Sequence, residues 1–315
     1  MNAIREKAAR LVARPFFALL AFLARVLPRG ALVRTSVAAS RAVYSLFPGI
    51  RQNLLENARR ALGPTATSGE LRARGLQVLE SFAHFLADLL SPARKGSRQD
   101  LAADTRGREH FEAARARGKG IIAATLHMGN YELSSRELAR LETNVAVVYN
   151  RDRIGFVEAL RSRRRKEVHL DEIVIGESKF FGIEALRRLR EGGIILLSGD
   201  QVEARDGEPL PFLHGTAPFS LWPVQLSLAS GAPILPAFNV RGDGGRHRLH
   251  LEPPIYPGPG RSPVEMLLEL VQVFERYVEE HGGEWLMIRR FWIDPEDASR
   301  SAAGSGSARG MRAGG

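Results

Sequence analysis

The sequence predicts an α/β protein, with a mixed, largely parallel central sheet flanked by helices and a helical region in front of it. Three observations carry that prediction. From about residue 107 to 293, apolar runs of strand length alternate with amphipathic stretches of helix length. Residues 31–91 keep apolar positions at helical spacing, interrupted only by Pro48-Gly49 and Gly63-Pro64. A core of this size is within reach of 315 residues that are 44% hydrophobic.

The segments follow in chain order as 1–29, 30–106, 107–293 and 294–315. In the first, Pro15–Ala24 is apolar but well short of the ~20 residues that span a bilayer. A signal peptide is the rival reading, but LARVLPRG is a poor cleavage site. Wound as a helix at about 100° per residue, Lys7, Arg10, Arg14 and Arg25 share one narrow arc and the large apolar residues take the rest. That is the pattern of a helix lying in a membrane interface, although Pro15 would kink it. Helices are predicted over Ala31–Phe47, Ile50–Leu62 and Gly69–Leu90. A polar junction, Pro92–Arg108, and a short helix, His110–Arg117, lead into the alternating region. Strands are predicted at Ile121–Leu126, Asn144–Tyr149, Ile173–Gly176, Ile194–Ser198, Pro233–Val240 and Arg246–Leu251. The helices between and after them are Leu133–Leu141, Ile154–Arg165, Lys179–Arg190, Phe219–Ser230 and Pro263–His281. The Ser/Gly/Ala/Arg-rich end reads as a disordered tail.

The stretch GIIAATLHMGNYE, Gly120 to Glu132, stands out. His127 falls at the carboxyl end of a buried strand and Glu132 in the first turn of the next helix, at the sheet edge where α/β proteins bind ligands. A histidine becomes a general base when a carboxylate fixes its tautomer and stabilises the imidazolium. Five positions across a turn would let Glu132 do that; the same spacing also suits an ordinary turn histidine with a first-turn acid. Asp200-Gln201 follows another buried strand in the same kind of position. His127, Asp200 and His214 are too scattered to read as a metal site. The sequence contains no cysteine, which excludes disulfides and thiolate chemistry. It also lacks a G-x-S-x-G elbow, a G-x4-G-K-[ST] loop and a G-x-G-x-x-G turn. Its net charge of +10 favours anionic partners.

H-x4-[DE] after an apolar strand is the signature of the glycerolipid acyltransferase superfamily. RGKGIIAATLHMGNYELSSREL, FPGIRQNLLENARRALG and the Gly199-Asp200-Gln201 block resemble the late (lauroyl and myristoyl) acyltransferases of lipid A biosynthesis. The resemblance spans roughly residues 48–293. It implies a glycerolipid acyltransferase-like fold, with His127 as the base on an acceptor hydroxyl and Glu132 as its partner. It further implies a substrate-binding set of Asn130, Asp200, Gln201, a displaced tyrosine-arginine block at Tyr149 to Arg151, and one later arginine. That arginine is assigned to Arg164, although the sequence does not choose among Arg161, Arg163, Arg164 and Arg165. Trp285 and Arg289–Trp292 resemble the family's closing block and are expected to cap the last helix or meet a bilayer interface.

The implied reaction moves a fatty acyl chain from an acyl-carrier-protein thioester to a lipid A precursor at the cytoplasmic face of the inner membrane. It needs no metal and no cofactor beyond acyl-ACP or acyl-CoA as co-substrate. The expected partners are acyl carrier protein, a glycolipid acceptor and an anionic membrane surface, with no nucleic acid. The rival acceptor is that of the phosphatidylinositol mannoside acyltransferases, which share the motif layout and use acyl-CoA. A rival of another class is a non-catalytic basic protein that binds membranes or nucleic acid; against it, the arginines are not interleaved with stacking aromatics.

Overall fold

The structure, a computed structural model, describes residues 22, 26–90, 105–142, 144–152, 155–202, 206–242 and 246–293. Most of the predicted basic helix, the junction over 92–104 and the tail from 294 lie outside the described residues. Among the described residues, no helix is long and apolar enough to cross a membrane.

Three helices come first: α1 (Arg29–Leu46), α2 (Pro48–Leu62) and α3 (Ser68–Leu90). Pro48 opens α2 where its missing N–H costs nothing, and Gly63 closes it with φ at 87°. Next come β1 (Thr105–Arg106), α4 (Arg108–Arg115), β2 (Ile121–Thr125), α5 (Tyr131–Leu141), β3 (Val145–Tyr149), α6 (Gly155–Lys166), β4 (Asp171–Val174), α7 (Phe181–Arg190) and β5 (Ile194–Ser198). The chain ends with β6 (Glu208–Phe212), β7 (Gly215–Phe219), α8 (Trp222–Ser230), β8 (Ile234–Arg241), β9 (His247–Leu251), α9 (Pro263–His281) and a 3-10 turn, Gly282–Glu284. Ser262 begins α9 with a reciprocal capping box to Glu265, as its Ser-Pro-x-Glu sequence requires.

The main sheet has the order β1-β9-β8-β2-β5-β3-β4 and is parallel except where β9 pairs with β8. Strand alternation divides the core into two faces. Ile122, Ala124, Ile195 and Leu197 join Val224, Leu270 and Phe274 on one face. Ile121, Ala123, Ile194 and Leu196 join Phe111, Ala114 and Leu138 on the other. Side chains this well buried stabilise by about 1.5–3 kcal/mol each.

One expectation is corrected. The helix predicted over Phe219–Ser230 does not begin at Phe219: that residue ends β7, which pairs antiparallel with β6 in a separate two-stranded ribbon, and the helix starts at Trp222. Pro209, Pro211 and Pro218 suit a ribbon outside the main sheet, where ladder donors are not all needed. The tip of the ribbon docks on α2, where Arg60 Nη1 donates to the His214 carbonyl at 3.0 Å and the His214 N–H returns to the Arg60 carbonyl at 3.2 Å. Its inner face carries Phe212 into an aromatic cluster with Trp285, Phe291 and Trp292.

Candidate active site

Strands β2 and β5 are neighbours in parallel register, with Thr125 opposite Ser198. His127 and Asp200 each lie two residues beyond that pair, so the sheet itself sets them side by side at its carboxyl edge. The His127 Nδ1 is 2.7 Å from Asp200 Oδ1, and the His127 backbone N–H donates to Asp200 Oδ2 at 3.0 Å. Trp285 Nε1 donates to the same Oδ2 at 3.0 Å. Asp200 is fully buried, whereas the His127 side chain keeps 14% of its surface exposed. Burial pushes the Asp200 carboxyl up, but the His127 charge and the donors from His127 and Trp285 outweigh it and hold the carboxyl low. An ionised Asp200 only accepts hydrogen bonds. It therefore places the imidazole proton on Nδ1 and leaves Nε2 with a free lone pair.

This corrects the expected partnership. Glu132 is held by two arginines rather than by His127. Its Oε1 accepts from Arg161 Nε and from Arg165 Nη2, both at 2.7 Å, and its Oε2 accepts from Arg165 Nε at 3.2 Å. Arg165 also reaches Glu172 at 3.0 Å, and Glu172 accepts from Ser162 and from the Tyr149 hydroxyl. Burial raises the Glu132 carboxyl, but Arg161 and then Arg165 more than offset it, so the net shift is down. Burial likewise lifts the Tyr131 phenol to about 12. Tyr131 stands between the two groups, edge-on to the His127 ring at 4.8 Å and 5.6 Å beneath the Arg161 guanidinium.

Replacing Glu132 by alanine strands Arg161, whose other carboxylate neighbour, Asp152, is 3.7 Å away. The expected cost is about 3 kcal/mol, read from urea midpoints, with a smaller loss for Glu132→Gln. Because the Glu132 and Asp200 carboxyls are both depressed in the folded state, their contribution is complete above the unfolded carboxylate range near pH ~4. It is lost as pH falls through the lower folded values, and Glu132→Gln should flatten that acid limb.

The loop between His127 and α5 has little freedom. The Met128 N–H donates to the Leu126 carbonyl, that of Gly129 to Glu284 and that of Asn130 to Asn239. The Leu286 N–H closes on the His127 carbonyl at 2.7 Å. Gly129 has φ at 55°, and a Cβ there would stand 1.8 Å from the Asn239 carbonyl oxygen, so only glycine fits. With these N–H groups taken, the loop backbone from 127 to 130 offers no free donor to a ligand.

The remaining expected substrate-binding residues divide. Gln201 lines a cavity of about 400 Å³ together with His127, Asn150, Arg161, Phe181 and Trp222. This groove runs from beyond β2, past β5 and β3, to Ile175 beyond β4, three strand spacings or about 14 Å. Asp200 is corrected from a substrate contact to the partner of His127. Asn130 does not line the groove: it is buried, its Oδ1 caps α5 by accepting from the Leu133 N–H at 3.3 Å, and its Nδ2 is 3.4 Å from Asp88 Oδ2. Arg164 lies off the groove and pairs with Glu167; Arg161 is the arginine of that run that faces both the groove and His127. Arg151 is exposed and paired with Glu177. Trp285 and Trp292 are buried at 3% and 5% exposure, which corrects the bilayer-interface expectation and makes Trp285 part of the Asp200 site. Sequence reasoning missed the roles of Arg161 and Trp285. The signal for Arg161 was helical spacing, which lets Arg161 and Arg165 reach one carboxylate together from i and i+4.

The chain is 25% identical over 273 residues to a phosphatidylinositol mannoside acyltransferase of Mycobacterium tuberculosis (strain CDC 1551 / Oshkosh), covering 83% of each chain. It is 25% identical over 277 residues to a protein of the same description from strain ATCC 25618 / H37Rv, again covering 83% of each. The family described as bacterial lipid A biosynthesis acyltransferase matches residues 7–293, nearly the whole chain including the His127, Glu132 and Asp200 positions. The chain is therefore an acyltransferase and belongs to the bacterial lipid A biosynthesis acyltransferase family.

Proposed function

We propose that this acyltransferase moves a fatty acyl chain from a carrier-protein thioester to a hydroxyl of a lipid A precursor or related glycolipid, at the cytoplasmic face of the inner membrane. The observation that carries the reading is a His127 fixed at Nδ1 by a buried carboxylate and opening on a groove lined by both apolar and polar side chains. The acceptor hydroxyl gives its proton to His127 Nε2 as its oxygen bonds to the thioester carbonyl carbon. The imidazolium that forms is stabilised by Asp200. Negative charge developing on the carbonyl oxygen faces the Arg161 guanidinium, which Glu132 holds in place. Collapse breaks the carbon–sulfur bond, and the departing thiolate takes the proton back. No acyl-enzyme intermediate is required.

In this reading Val148, Leu197, Leu221 and the Phe181–Trp222 ring pair receive the acyl chain, while Gln201, Asn150 and Gln225 meet polar groups of the acceptor. A second reading, with acyl-CoA as donor, has a phosphatidylinositol mannoside as the acceptor; the descriptions of the two relatives favour that acceptor. Purified protein offered acyl-carrier-protein and acyl-CoA donors, each with a lipid A precursor and a phosphatidylinositol mannoside, separates the two. Product only from the carrier donor on the lipid A precursor is expected. Product only from the CoA donor on the mannoside establishes the second reading, and no acyl transfer in any combination overturns both.

A further inference from the structure

Beyond the N-terminal segment, the described surface carries large exposed apolar side chains in a few places. Three lie together where β4 leads into α7: Ile175, Phe180 and Ile183, at 37%, 67% and 63% exposure. Their exposure is built into the turn. The Ile175 N–H donates to the Tyr149 carbonyl at 2.9 Å, the Phe180 N–H to Ser178 Oγ at 3.0 Å, and the Glu184 N–H back to the Phe180 carbonyl at 3.0 Å. Because β4 is parallel to β3, this turn lies at the carboxyl edge of the sheet, the edge that bears His127. It is also continuous with the groove: Ile175 and Phe181 line it, and Phe180 stands next to them on the outside.

A second apolar pair, Phe22 and Val26, at 61% and 62% exposure, stands where the chain enters α1. The start of α1 packs on the end of α3, with Leu32 against Ala87 and Leu90. Asp88, in that same turn of α3, takes the hydrogen bond from Asn130 beside His127. The start of α1 is thus joined through the end of α3 to the loop that carries His127. Lys179 adjoins Phe180, on a chain whose net charge is +10. Glu184 is the acid on the same exposed turn, and Arg151 is paired with Glu177.

We infer that the β4–α7 turn is a second membrane foot: Phe180 and Ile183 insert among the headgroups of an anionic bilayer, so that the groove opens onto the lipid surface. Exposed aromatic and aliphatic side chains beside a lysine, on a cationic chain, have the chemistry of interfacial insertion. The inference is independent of the transfer chemistry, because vesicle binding is read with neither donor nor acceptor present.

The test uses the full chain and vesicles made of equal parts phosphatidylglycerol and phosphatidylethanolamine. Phe180→Ser with Ile183→Ser should weaken partition onto these vesicles by about tenfold or more, with an unchanged circular dichroism spectrum. Leu46→Ser, at a site 73% exposed at the far end of α1, should leave partition unchanged. In a Phe180→Trp variant, the added fluorescence should be quenched by brominated acyl chains. Wild-type partition by the double variant, or no quenching of the added Trp, overturns the inference. So does a double variant that binds vesicles normally but loses turnover only with a carrier-bound donor, which would give the patch to a carrier protein instead.

Discussion

His127→Ala is expected to lower kcat/KM for acyl transfer by at least about 10³-fold while leaving the fold intact. The first half follows from chemistry: a positioned base is worth roughly 10²–10⁴ in rate, and among the described residues no other histidine lines the groove to replace it. The second follows from packing, since the His127 ring fills no sealed core position and its backbone keeps the Asp200 and Leu286 hydrogen bonds. Single-turnover measurements with a thioester donor, beside a thermal melt, check both halves. Full turnover in the alanine variant would remove the imidazole from the mechanism.

The second large effect is expected at Asp200. Asparagine keeps the shape but can offer its amide N–H to the His127 Nδ1. It thereby reverses the tautomer and draws the proton to Nε2, where the lone pair is needed. The imidazolium formed during transfer also loses its buried counter-charge. We expect kcat to fall by about 10³-fold with little change in the KM of either substrate. The contrast is Glu132→Gln. It should raise KM or weaken transition-state binding through Arg161, and it should destabilise the protein, but it should leave the histidine tautomer alone. If the Glu132 change costs as much kcat as the Asp200 change with no loss of stability, Asp200 is not the group that orients His127.

Much of this architecture is legible in the chain. Strand β5 and helix α9 have the predicted bounds, because an apolar run in β5 and an amphipathic repeat in α9 each stand between strong stop signals: Gly192-Gly193 and Gly199 for β5, Ser262-Pro263 and Gly282-Gly283 for α9. The chemical roles of His127 and of the Asp200 block stand out because both follow buried strands. Their pairing does not. Asp200 is 73 positions away in sequence, and only the strand order, which puts β5 between β2 and β3, brings it to His127. Local spacing favours Glu132, and the structure gives that carboxylate to two arginines whose spacing on α6 was itself visible. The β6–β7 ribbon was hidden by its prolines, and the burial of Trp285 depends on that ribbon's aromatic cluster. Sequence patterns report which residues are polar at a strand end; they do not report which strand ends are adjacent.

A buried Asp200 holds the proton on His127 Nδ1 and frees Nε2 for chemistry. Nitrogen-15 NMR of the protein labelled at histidine reads that directly from the His127 ring shifts near neutral pH. The wild-type ring should be protonated at Nδ1, the Asp200→Asn ring should lose that preference, and the Glu132→Gln ring should keep it. A wild-type His127 protonated at Nε2, or a tautomer that follows Glu132 and ignores Asp200, would contradict the account.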